Sequence, residues 1–140
     1  MPRPARQPIG LHLAQVAKVI SRAFDDALAA AGGSRPAWLV LISLKSQPQA
    51  SQREIADAAG IQGATLTHHL NAMESAGLLT RRRDPANRRV HVMELTPQGD
   101  ALFLRLRDAA GAFDQRLRSG LSDRDVAQAE ELLTRLRANV

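Results

Sequence analysis

A chain of 140 residues, 44% hydrophobic and 24% charged, can form one domain with a sizeable core and is too ordinary in composition for long disorder or a collagen-like repeat. No apolar run approaches the roughly 18 residues that span a membrane. The basic start Met1-Pro2-Arg3-Pro4-Ala5-Arg6 leads into an amphipathic segment, so no secretory signal is expected and the cytoplasm is the default. The lack of cysteine excludes disulfides, cysteine-ligated zinc, iron–sulfur clusters and thiol redox sensing. The net charge is +5, and of 19 basic residues all but Lys18 and Lys45 are arginine, whose planar fork suits phosphates and guanine edges. Aromatic residues make up 3%, with no tyrosine, which disfavours a surface that stacks single-stranded bases.

Taken in chain order, Ile9, Leu13, Val16, Ile20 and Phe24 recur at spacings of three and four and predict a long helix over 9–31, ended by Gly32-Gly33. Ser34 is placed to cap a second helix, with Pro36 in its first turn, running through Trp38, Leu41, Ile42 and Leu44 to about residue 46. Ser51-Gln52-Arg53-Glu54 has the capping-box pattern and predicts a short helix to Ala59, with Gly60 at a left-handed end. After a tight turn at Ile61-Gln62-Gly63, a further helix over 63–76 carries Leu66, Leu70 and Met73 as its buried stripe. Two strands, 78–83 and 89–95, flank a turn, with Val90 and Val92 expected on one face and His91, Met93 and Leu95 on the other. Thr96-Pro97-Gln98-Gly99 caps a long helix to about residue 118 with Leu102, Leu106, Ala109, Phe113 and Leu117 in line. Gly120 breaks it, and Ser122 caps a last helix bearing Val126, Ala129, Leu133, Leu136 and Val140.

Short helix, tight turn, helix and basic hairpin form the order of a winged helix-turn-helix, in which the second helix of the pair enters the major groove. The exposed face expected for that helix is Gln62, Ala64, Thr65, Thr67, His68 and Asn71, which are small or polar. Ala64 and the threonine methyls suit a thymine methyl, and His68 suits a base edge. A histidine there gains charge near neutral pH, so DNA affinity is expected to strengthen as pH falls. The hairpin sets Arg81, Arg82, Arg83, Arg88 and Arg89 against the single Asp84, the densest basic stretch of the chain. Such charges repel one another and call for an anionic partner or solvent, and Arg88 near the tip is placed to enter a narrow minor groove. Three apolar stripes, in the first and the last two helices, exceed what a small winged core covers and point to a partner chain.

From residue 9 to the end, the chain resembles the MarR family of multiple-antibiotic-resistance regulators. The matching segments are Ser51-Gln52-Arg53-Glu54-Ile55-Ala56, Leu70, Glu74 and Gly77-Leu78-Leu79, the wing Arg83-Asp84-Pro85-Ala86-Asn87-Arg88-Arg89, and Leu95-Thr96-Pro97-Gln98-Gly99. Trp38 is similar to the SlyA-type branch. The resemblance implies a homodimer with interlocked first and last helices, a recognition helix in each major groove and a wing along each minor groove. By position it carries DNA contacts onto Ser51, Gln52, Gln62, Ala64, Thr65, His68 and Arg88, and Arg83 and Arg89 flank the wing tip. Asn87 stands where many members have aspartate, which removes a salt bridge to Arg88. His68 stands where many have arginine. The family often holds an aromatic carboxylate between its dimer helices and winged core, for which His12, Gln15, Lys18, Trp38 and Ile42 are the candidates.

The expected fold is therefore mainly α (α+β), a winged helix-turn-helix with N- and C-terminal dimerisation helices. It forms one domain over 1–140, with 48–99 as the winged core and 9–31 and 97–140 as dimerisation helices. The expected function is a DNA-binding transcriptional regulator, a repressor released by a small aromatic or phenolic acid. Its partners would be a pseudo-palindromic double-stranded operator and a second copy of itself, with no membrane. The alternative is a winged-helix protein-interaction module that does not bind DNA. There is no nucleophile motif, phosphate loop or clustered carboxylate pair, so neither an enzyme nor a cofactor is expected. His68 and His69 are adjacent on a helix and make a poor metal pair.

Overall fold

The computed structural model describes residues 6–140; the basic start read from the sequence, apart from Arg6, lies outside them. The elements are α1 (Ile9–Ala30), α2 (Arg35–Ser46), α3 (Gln52–Ala59), α4 (Gly63–Ser75), β1 (Leu79–Arg83), β2 (His91–Leu95), α5 (Pro97–Leu117) and α6 (Asp123–Ala138). The fold is mainly α with a small antiparallel sheet, a winged helix-turn-helix flanked by long terminal helices. No single helix among the described residues is long and apolar enough to cross a membrane.

Local chemistry sets the boundaries. The Ser34 hydroxyl accepts from the Ala37 N–H at 3.2 Å and starts α2. At α3 the capping box closes both ways: Ser51 Oγ accepts from the Glu54 N–H at 3.2 Å, and Glu54 Oε1 accepts from the Ser51 N–H at 3.0 Å. Gly60 ends α3 in the left-handed conformation, φ 67°. Ser122 and Asp125 repeat the box at α6.

The junction between wing and α5 is closely packed. Thr96 Oγ1 accepts from the Gly99 N–H at 3.1 Å while donating to the Gly77 carbonyl at 2.6 Å. A Cβ on Gly99 would stand 2.0 Å from the Leu78 carbonyl oxygen, inside any permissible contact. Glycine is therefore required there by close backbone approach.

The core lies where α2, α3, α4, the sheet and the first half of α5 meet. Leu41, Ile55, Leu66, Leu70, Met93 and Leu106 are all fully buried in it. Leu28 from α1 joins the same cluster, and Phe24 packs on Phe113 of α5 with ring centroids 5.2 Å apart.

The sheet departs from the strict alternation expected of β2. Val92 and Met93 are both buried while His91 is exposed. The cause is a third backbone strand-like contact: Ser51 bridges Val92 on the edge opposite β1, and the Met93 N–H donates to the Ala50 carbonyl at 3.0 Å. This pairing along the open edge of β2 sets residues 50 and 51 beside Val92, where a free hairpin would meet solvent.

Candidate nucleic-acid interface

Helix α4 presents Gln62, Ala64, Thr65 and His68 to solvent, and none of these side chains makes a hydrogen bond among the described residues. Opposite them Leu66, Leu70 and Met73 are buried, as the sequence spacing predicts. The α4 N-terminus has no side-chain cap, so its first-turn N–H groups remain open to an acceptor.

Two residues expected on that face are tied into the protein's own hydrogen bonds. Thr67 is half-buried, its hydroxyl donating to the Gly63 carbonyl at 2.9 Å and accepting from Gln52 Nε2 at 2.5 Å. Gln52 is correspondingly turned toward α4. The pair ties the two helices together. At 100° per residue Thr67 falls on the flank of the reading face, where the packing of α3 claims it. Asn71 is exposed, but its Oδ1 accepts from the Arg81 guanidinium. Ser51 is occupied as the cap of α3.

The wing arginines divide into two groups that their sequence density did not separate. Arg81 reaches back to α4 and pairs with Glu74 at 3.2 Å. Its hydrogen bonds hold the Glu74 carboxyl below the ordinary carboxylate range. Arg82 lies 4.0 Å from Glu94 on the neighbouring strand. Arg83, Arg88 and Arg89 make no ion pair among the described residues. Arg83 Nη1 donates to the Arg88 carbonyl at 3.1 Å. Two side-chain turns hold the loop: Asp84 Oδ1 accepts from the Ala86 N–H, and Asn87 Oδ1 from the Arg89 N–H. Asn87 thus orders the tip without pairing Arg88, whose charge is left free.

The five ligand candidates are not brought together within one chain. His12, Gln15 and Lys18 are exposed on the first half of α1, and Gln15 accepts from Gln7 at 2.7 Å. Trp38 and Ile42 are half-buried on α2. Trp38 stacks on Phe103 of α5 at 5.6 Å, and the cation above that stack is Lys45, 5.4 Å from the Phe103 ring, not Lys18. A cavity of about 540 Å³ lies instead between the end of α1 and the start of α2, lined by Asp25, Asp26, Gly33 and Arg35 among others. Its walls are joined by the Arg35–Asp25 ion pair at 2.9 Å. The pairwise tie Gln52–Thr67 and the roles of Phe103 and Lys45 left no periodic signal in the sequence, because each depends on which helices become neighbours.

The sequence model of the MarR family matches residues 34–91. The transcriptional repressor CouR, solved on a 23-mer DNA duplex, is 30% identical, with 94% of this chain and 91% of that chain aligned at a TM-score of 0.81. BpsR of Bordetella bronchiseptica, solved in a study of how 6-hydroxynicotinic acid regulates its DNA binding, superposes at 0.83 with 23% identity over 98% of each chain. A MarR variant from E. coli complexed with operator DNA superposes at 0.82 with 23% identity over 92% of this chain and 93% of that one. This chain belongs to the MarR family of transcriptional regulators, proteins that act on gene expression and not as enzymes.

Proposed function

We propose that this chain is a homodimeric, sequence-specific DNA-binding repressor that a small aromatic acid releases from its operator. In this reading residues 48–99 form the DNA-binding core, and 9–31 and 97–140 pair two copies. The observation that carries it is an exposed polar face on α4 beside three wing arginines without ion-pair partners among the described residues. Gln62, Ala64, Thr65 and His68 read bases in the major groove, Arg88 enters the minor groove, and Arg83 and Arg89 meet the backbone. Ser51, Gln52 and Thr67 act from behind this face by holding α3 and α4 in register, and Asn71, exposed on α4, ties it to the wing through Arg81.

Repression is supported by the name of CouR, and aromatic-acid control by the regulation of BpsR by 6-hydroxynicotinic acid. The ligand would sit where α1 and α2 face a second copy, bringing His12, Gln15 and Lys18 toward Trp38 and Ile42. Pairing is supported by Ile9, Leu11, Val19, Leu132 and Leu133, all at least 49% exposed in one chain.

A gel shift with the DNA upstream of the chain's own coding sequence, at two salt concentrations, tests this reading. A specific complex that weakens steeply as salt rises supports it. No specific shift at either salt would leave a winged-helix protein-interaction module in its place.

A further inference from the structure

Beside the reading face, the start of α3 and the returning strand of the wing enclose a cleft of about 350 Å³, lined by Ser51, Gln52, Arg53, Arg89, Val90 and His91. No carboxylate lines it. Arg53 and Arg89 are exposed and make no ion pair among the described residues, and His91 is exposed. The two walls are held at fixed separation by main chain, through the Ser51–Val92 bridge and the bond from the Met93 N–H to the Ala50 carbonyl. The first-turn N–H groups of Gln52 and Arg53 have no intrahelical acceptor. Glu54, one residue further on, is engaged by the Ser51 N–H and by Gln47 and does not line the cleft.

We propose that this cleft seats one backbone phosphate of the bound duplex, gripped by Arg89 from the wing, Arg53 from α3 and the imidazole of His91. This rests on the DNA-binding reading above and adds two residues and a proton to it. A phosphodiester brings one negative charge and two free acceptor oxygens, which the two guanidinium groups and the imidazolium can share.

His91 also borders a neighbouring pocket lined by Glu74, Arg81, Arg82 and Arg83. The groups facing it are thus Arg53 and Arg89 on one side and Glu74, Arg81, Arg82 and Arg83 on the other. Glu74 and Arg81 are committed to each other, and Arg82 lies 4.0 Å from Glu94. A phosphate in the cleft places a negative charge beside the ring, which favours its protonated form. DNA binding then takes up a proton at His91, and affinity strengthens as pH falls from about 7.5 to 6, by at most about tenfold per pH unit for one proton. The sequence alone points to His68 for this linkage, whereas the cleft points to His91.

The test uses the full chain and the duplex upstream of its own coding sequence, with affinity followed by anisotropy over a salt series. Arg89→Gln is expected to lower the salt slope by about one. Replacing phosphates singly with neutral methylphosphonate should reveal one position per half-site where wild type loses about tenfold in affinity and Arg89→Gln loses nothing further. His91→Gln should abolish the pH dependence, and His68→Gln should retain it. If wild type binds the duplex but Arg89→Gln keeps its slope and no phosphate couples to it, the cleft is not a phosphate seat and DNA binding stands. If His91→Gln keeps the wild-type pH profile, the proton lies elsewhere and that assignment is overturned. If wild type gives no specific complex, the DNA-binding reading fails and the cleft with it.

Discussion

Helices α3 and α6 begin with the same device, a serine cap closed by an acid three residues later, and then part company. Helix α3 is eight residues long and buries Ile55 completely. Helix α6 is twice that length and buries none of its residues. The same contrast divides the molecule. The winged centre fills its own core, whereas the first half of α1, the second half of α5 and all of α6 carry apolar side chains into solvent. Identical local signals thus define helices in both regions, but only one region finds its packing partners within a single chain. In the proposed dimer, the other region finds them in a second molecule.

The largest effect should come from breaking that second region. Leu133 is 49% exposed in one chain, so Leu133→Asp should leave the protomer's own packing nearly unchanged. In the proposed dimer it buries an unpaired charge and should weaken association by about 3–5 kcal/mol. Sedimentation velocity checks this, and a folded wild-type monomer at micromolar concentration would remove the contrast's second half. The mirror-image change is Leu70→Ala in the centre, where the side chain is fully buried. It should cost about 2–5 kcal/mol by urea unfolding, without altering the mass of whatever species remains folded.

Arg88→Ala probes a residue that belongs to neither packing system. With its charge unpaired and exposed, it should leave the unfolding midpoint in place while weakening operator binding and lowering the salt slope by about one. A shifted midpoint would mean that the wing tip contributes to the fold after all. The two caps sharpen the comparison further. Ser51→Ala should cost about 1 kcal/mol, read as a shift in urea midpoint that does not change with protein concentration. Ser122→Ala should cost a similar amount, but in a midpoint that depends on concentration, because in the proposed dimer α6 is stabilised by association.

The smallest effect is an acid limb. Glu54 is held below the ordinary carboxylate range chiefly by the Ser51 N–H, and Glu74 chiefly by Arg81. A depressed carboxylate contributes stability that is present above its unfolded value, about pH 4.3, and is lost as pH falls through the folded value. Glu74→Gln should therefore flatten the decline in stability between about pH 5 and 3, measured by urea midpoints. An unchanged decline would show that the Glu74–Arg81 pair does not report on folding.

Most of the fold was legible because its signals are local. Serine and threonine caps, Gly60 and Gly120 at positive φ and the stripe Leu66, Leu70, Met73 each act within one or two turns of chain. What escaped depends on neighbours distant in sequence. Thr67 looks identical to Thr65 as a residue, and only the arrival of Gln52 from α3 turns one inward and leaves the other outward. The wing's five arginines form one charge run in sequence, yet Glu74 and Glu94 remove two of them from service to a partner. The expected ligand residues on α1 and α2 lie apart within one chain. Burial at Val92 required the backbone of residues 50 and 51 to arrive beside β2.

That last contact bears on how such a protein can change over generations. The start of α3 and the wing are joined by peptide groups, which no substitution except proline removes. Side chains at Gln62, Ala64, Thr65 and His68 stand outside that bond network and carry no packing duty. If these side chains read bases as proposed, mutation can rewrite which bases are preferred, one position at a time, while the wing keeps its distance from the helix pair. A lineage could move from one operator to another through intermediates that all still fold and still grip the backbone.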